Sequence, residues 1–345
     1  MIRIQGEKIR YVLLDIIKFL MSLIIVIYHY NYICRNYENP YMFHGGYLAV
    51  EVFFIISGFL FFFLEVEISN VKEKSIVRCM KHKVAGLYPA YVFSLITAFG
   101  IDIVRKISDM DIIDYIKSGI RFAGDALMIG EWGIPKMKVT YNIVTWYISA
   151  MLLAFIIWLV ILKFTRSNIY IYIYILIPLI LYGYIAYSSG NLRVHGNRTF
   201  FLVTDGVLRG IAGIGAGFLA FYLYKILSNR NITFRKMVFY ISFISTLLIL
   251  FLAGGTFADF LIIPSAMVMV ASAAALPAYS GKGADISGYL GKFSYFVYLN
   301  HWIVLTVMQY VLKEYSLWLY LLVTLLYSFV FMKVIMFLVK NAKRK

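Results

Sequence analysis

With 345 residues, 62% of them hydrophobic and 14% charged, the chain lacks the polar surface that a soluble domain of ordinary composition needs. It reads as a polytopic integral membrane protein, all-α. The formal charge of +16 points to nucleic acid only where a soluble basic domain exists, and none is visible here, so the charge is read as topological and no nucleic-acid partner is expected.

The N-terminus, MIRIQGEKIRYVLL, is basic and enters a long apolar stretch without a small-residue cleavage site, so it is read as an uncleaved first helix. Spans of about 20 apolar residues each are predicted at 11–33, 46–65, 84–104, 143–163, 168–186, 205–226, 235–253, 257–277, 292–312 and 316–339. These ten helices form one membrane domain, 1–345, with no soluble domain expected after the tenth. The run IYIYIYIL at 169–176 alternates like a strand, yet an open strand in hydrocarbon would leave its backbone unsatisfied, so it is assigned to helix five. Of the 33 Lys and Arg, 20 fall at the termini and in the loops on their side, 10 on the opposite side, and Lys18, Arg209 and Lys333 within spans. The excess places both termini in the cytoplasm. Cys34 and Cys79 then lie on opposite sides, which excludes a disulfide between them.

The segment 105–142 is the one long outer loop, with Asp109, Asp111, Asp114 and Asp125 set against Arg105, Lys106, Lys117 and Arg121. Two readings stand: a solvated amphipathic helix, or a lid over an outward-facing site. Trp132 and most of the 29 Tyr fit interfacial belts.

The polar residues within spans carry the functional question. Asp15, Lys18 and His29 share one face of helix one, because at about 100° per residue Lys18 and His29 differ by about 20°. They are separated by about 16 Å along the axis. A buried Lys costs on the order of 3 kcal/mol to insert, which favours a cavity or a partner, although Lys18 is also near enough to the cytoplasmic end to snorkel. Glu51, at the outer start of helix two, falls at a depth similar to His29 and is expected to hold its imidazole as a general base. Arg209, about four residues into helix six, is expected at the same level as an oxyanion partner or as the counter-charge of Glu51. Asn300 and His301 are placed deeper with Lys18, outlining a polar route. Spacing alone suits a transporter as well as an enzyme.

DIIKFLMSLIIVIYH followed by GGYLAVEVFFIISGFL resembles the opening of membrane-bound acyltransferase family 3. The resembling pieces are Lys18 eleven positions before His29, then Phe53, Phe54, Ser57, Gly58 and Phe59, Tyr88-Pro89, Thr-Trp-Tyr-Ile-Ser at 145–149, Leu-Arg-Gly at 208–210, and GKFSYFVYLNHW at 291–302. The chain departs from the commonest family form with Lys18 for Arg, Glu51 for Asp, and Gly86 where a second basic residue often precedes Tyr-Pro. The resemblance implies an O-acyltransferase of the cell membrane, foremost an O-acetyltransferase. It would take acetyl from cytosolic acetyl-CoA, with no permanently bound cofactor and no metal, and place it on a glycan or lipid-linked glycan. His29 and Glu51 would be catalytic, His29 as base or transient acyl carrier. Lys18, Ser57, Trp146, Arg209 and His301 would contact substrates, and Arg78, Lys81 and Lys83 the donor phosphates. The rivals are a transporter or flippase for a lipid-linked sugar, and an assembly partner in polysaccharide synthesis.

Overall fold

The computed structural model describes residues 2–4, 7–34, 42–64, 75–106, 111–133, 141–165, 169–196, 198–200, 203–278, 282–312 and 315–342. Arg35, Asp109 and Lys313, together with parts of the predicted loops, lie outside them. Eleven helices follow in order: α1 Val12–Cys34, α2 Ala49–Phe62, α3 Ile76–Lys106, α4 Ile112–Ala126, α5 Trp146–Phe164, α6 Tyr170–Ser189, α7 Asp205–Ser228, α8 Ile232–Leu252, α9 Ile262–Ala275, α10 Lys282–Val311 and α11 Leu317–Ala342. Two short antiparallel pairs, β1 Ile2–Ile4 with β2 Glu7–Ile9 and β3 Arg198–Phe200 with β4 Val203–Thr204, lie outside the bundle's helices.

Among the described residues eight helices are long and apolar enough to cross a membrane, and the stretch Gly46–Phe62 is apolar but shorter. The chain is an all-α polytopic membrane protein. Its outward surface supports that physically: Leu179 and Ile180 of α6, Ile241, Ile244 and Leu248 of α8, and Leu322, Leu326 and Val330 of α11 are all exposed, as side chains meeting hydrocarbon are. Every predicted span coincides with a helix, but α3 starts at Ile76 rather than 84, and α10 at Lys282 rather than 292. Both carry charged or polar first turns that hydropathy excludes and a helix tolerates outside the bilayer core.

Helix α1 runs parallel to α10. Arg10 donates to the Gly288 carbonyl at one end, and His29 meets His301 toward the other. Helix α11 returns antiparallel, with Phe329 against Phe293 and the Tyr320 hydroxyl donating to the His301 carbonyl, so both termini sit at one end of the bundle. At the centre lie α2 and α7. A Cβ on Gly58 would collide with the backbone of Ile214, and one on Gly217 with the Ile55 carbonyl and the Phe59 amide. Only glycine permits that approach. It draws the two helices together and brings Glu51 to Arg209. The Thr204 hydroxyl caps α7 by accepting from the Val207 amide (3.4 Å), fixing where the helix begins and so the height of Arg209.

The outer segment is neither of its two readings alone. Helix α4 keeps Ile112, Ile113, Ile116 and Ile120 exposed as an apolar stripe. The following residues are bolted onto the bundle: the Tyr141 amide donates to Asp125 (3.0 Å), the Tyr91 hydroxyl to the Asp125 carbonyl, and Asn142 to both Ser94 and the Leu299 carbonyl. Trp132 donates to the Ser149 carbonyl. Cys34 is exposed and Cys79 buried, both as thiols.

Candidate active site

Two chambers, each with a few polar side chains in a mostly apolar wall, lie one above the other in the bundle. The chamber nearer the termini, about 180 Å³, is lined by Lys18, Ser57, Tyr147, Gly291, Ser294 and Tyr298 among others. The far chamber, also about 180 Å³, is lined by His29, Tyr32, Trp146, Arg193, His195, Arg209, Tyr298 and Trp302 among others. Tyr298 belongs to both. Its hydroxyl donates to the Val144 carbonyl (2.6 Å) and its ring meets those of Phe53 and Tyr147, forming an aromatic partition. A larger groove of about 730 Å³ on α8 is almost wholly apolar and faces outward, so it offers no chemistry.

On the far side of the partition two histidines meet. His301 Nδ1 lies 2.6 Å from the Tyr298 carbonyl, which requires a proton on Nδ1 and leaves a lone pair on Nε2. That lone pair lies 3.1 Å from His29 Nδ1, which also faces the Ile25 carbonyl at 3.0 Å. Both partners of His29 Nδ1 are acceptors, so Nδ1 carries the proton and Nε2 is left with a lone pair for the chamber. The chain Tyr298 carbonyl, His301, His29 thus holds the tautomer and ring orientation of His29.

This corrects two expectations. Glu51 does not orient His29: its carboxylate is fully buried and takes a bidentate pair from Arg209, Nε at 2.8 Å and Nη2 at 2.5 Å. A guanidinium fork satisfies both carboxylate oxygens more fully than an imidazole does, and α2 and α7 are close enough to allow it. His301 is not deeper than His29 and is absent from the described linings of both chambers; it stands at the level of His29, fully buried against it. Arg209 also donates to the Val194 carbonyl (2.7 Å) and lies 5.1 Å from the Trp146 ring, so its charge is already matched by Glu51 while it borders the far chamber.

The remaining expected residues separate by level. Lys18 lines the inner chamber and reaches Asp15 at 3.4 Å, while Asp15 is held by Arg10 at 2.5 Å. Ser57 Oγ is 3.3 Å from the Tyr147 hydroxyl in the same wall. Arg78 and Lys81 are exposed on the first turns of α3, whereas the Lys83 ammonium rests 3.1 Å over the Phe155 ring. Sequence reasoning passed over His195 and Glu131. His195 stacks on Trp146 (4.9 Å, 14°), and its Nδ1 lies 3.9 Å from the buried Glu131 carboxylate. The only signals were the polar loop NLRVHGNR and the motif GEWG, and neither has a period that fixes a neighbour. Among the described residues no three His, Cys, Asp or Glu side chains converge as metal ligands do.

The fold and chambers define a membrane protein with a buried histidine pair beside the far-side cavity and a second cavity nearer the termini. The family model described as an acyltransferase domain, acyltransferase family 3, matches residues 11–339, and the chain belongs to that family. It is a membrane acyltransferase. No curated protein and no solved structure gives a significant match.

Proposed function

We propose that this chain is an O-acetyltransferase of the cell membrane that moves acetyl from cytosolic acetyl-CoA to a hydroxyl of a cell-surface or lipid-linked glycan. The observation that carries the reading is the His29–His301 relay opening onto the far chamber, one aromatic partition away from the Lys18 chamber. The donor enters from the terminal end, past Arg78 and Lys81, and Lys18 meets a polar part of it. The axial span of about 16 Å between Lys18 and His29 is close to the reach of an extended pantetheine arm, which puts the thioester at the partition. His29 Nε2 takes the proton of the acceptor hydroxyl as its oxygen attacks the thioester carbonyl carbon. The tetrahedral intermediate collapses, the carbon–sulfur bond breaks, the thiolate recovers the proton from His29, and the ester and free CoA leave on opposite sides.

The test compares wild type with His29→Ala at matched membrane levels, reading base-labile acetate on surface glycans and CoA release by isolated membranes. Both signals appear with wild type and vanish with the variant. If wild type gives neither signal while altering export of a lipid-linked sugar, the reading is wrong and the buried charges serve transport.

A further inference from the structure

The far chamber is rich in donors and poor in acceptors. Among its described lining side chains are Arg193, Arg209, two histidines and several tyrosines, and there is no Asp, Glu, Asn or Gln. A neutral sugar is held through hydroxyls, which a site reads best by pairing donors with carboxylate or amide acceptors. This lining supplies aromatic faces and cations instead. The charge of Arg209 is matched by Glu51. Arg193, which lies 5.6 Å from the exposed ring of Tyr32, brings a second guanidinium to the chamber and its backbone amide is pinned by Asn191 (2.9 Å).

His195 extends the same wall. Its side chain is 40% exposed while Nδ1 is buried toward Glu131, so the open edge is the one bearing Nε2. Glu131 is itself buried, and its Oε2 has no hydrogen-bond partner among the described residues.

We infer that the acceptor carries an anionic group, a carboxylate or a phosphate, seated on Arg193 and the Nε2 edge of His195, so that its hydroxyl is presented to His29. Arg193 is a specificity residue, and Glu131 a positioning residue acting through His195. The inference rests on the acetyl-transfer reading above.

The experiment uses the full chain in nanodiscs, so that both faces are accessible, with acetyl-CoA and the de-O-acetylated surface glycan of the source cells. The glycan is offered native, carboxyl-reduced, or freed of phosphodiesters. Acceptor kcat/KM falls about tenfold or more for one of the two neutralised forms, and which form names the anion. Arg193→Gln loses as much on native glycan, chiefly in KM, and nothing further on the neutralised form, while Arg193→Lys keeps most of the activity. Equal use of native and both neutralised glycans, with Arg193→Gln indifferent, overturns the inference and leaves acetyl transfer standing. Absence of ester on every form with wild type removes the acetyl-transfer reading, and this inference with it.

Discussion

Replacing His301 by Phe tests the relay quantitatively. The substitution keeps a ring in a fully buried position and removes the Nε2 acceptor that faces His29. His29 Nδ1 retains the Ile25 carbonyl at 3.0 Å, so it loses one of two acceptors and is not left unsatisfied. One neutral hydrogen bond is worth about 1–1.5 kcal/mol net, which corresponds to roughly tenfold in rate. Removing the base itself with His29→Ala costs about 10²–10⁴-fold. The expected pattern is a loss of about tenfold in kcat for His301→Phe, a far deeper loss for His29→Ala, and a double variant no worse than His29→Ala. Thiol release from acetyl-CoA in the presence of acceptor glycan measures all three at matched protein levels. A His301→Phe loss as deep as that of His29→Ala, with the double variant multiplying the two, would refute the relay and make His301 an independent contact with substrate.

Other outcomes follow from the packing and the charges. Glu51→Ala or Arg209→Ala alone strands a buried charge and is expected to cost about 3–5 kcal/mol, whereas Glu51→Leu combined with Arg209→Met recovers much of it, read as melting temperature in detergent. Gly217→Val drives a side chain into the α2 backbone and is expected to lower stability by at least 1–3 kcal/mol, roughly the scale of overpacking, with loss of monodisperse protein on size-exclusion chromatography. Asp125, outside the spans, is pushed up from 3.8 to about 7, chiefly by burial, against the opposing Tyr141 amide and Arg121. Because the folded acid titrates later than the unfolded one, its favourable contribution is complete below about pH 4 and is lost as pH rises toward about 7. Asp125→Asn, which keeps a carbonyl for the Tyr141 amide, should therefore melt higher than wild type at pH 8 and differ little at pH 4. Lys18→Ala should raise the KM for acetyl-CoA while leaving the KM for the glycan in place, and equal effects on both would contradict the separation of the chambers.

Hydropathy located the helices because the bilayer demands a long apolar stretch, and helical spacing put Lys18 and His29 on one face because α1 is regular. What spacing cannot carry is the register between helices. Depth counted from span ends put His301 well below His29, but α10 begins ten residues early and its Gly291 is packed directly against Asp15, which raises the C-terminal half to the level of His29. For Glu51 the sequence offers two partners, an imidazole on α1 and a guanidinium on α7, and nothing in a one-dimensional pattern ranks one above the other; the structure pairs it with Arg209. His195 and Glu131 come from connecting segments, where neighbours are set by tertiary folding alone.

The shared wall at Tyr298 has an electrical meaning. Tyr298 lines both cavities and, with Phe53 and Tyr147, forms the wall that parts them, so its hydrogen bond to the Val144 carbonyl is the contact that latches an insulator. Trimming that side chain with Tyr298→Ala is expected to let protons or small cations leak through reconstituted vesicles, visible as faster collapse of an imposed pH gradient than with wild type. An aromatic layer that parts two cavities in a membrane acyltransferase keeps the bundle from spending the ion gradient on which its membrane depends.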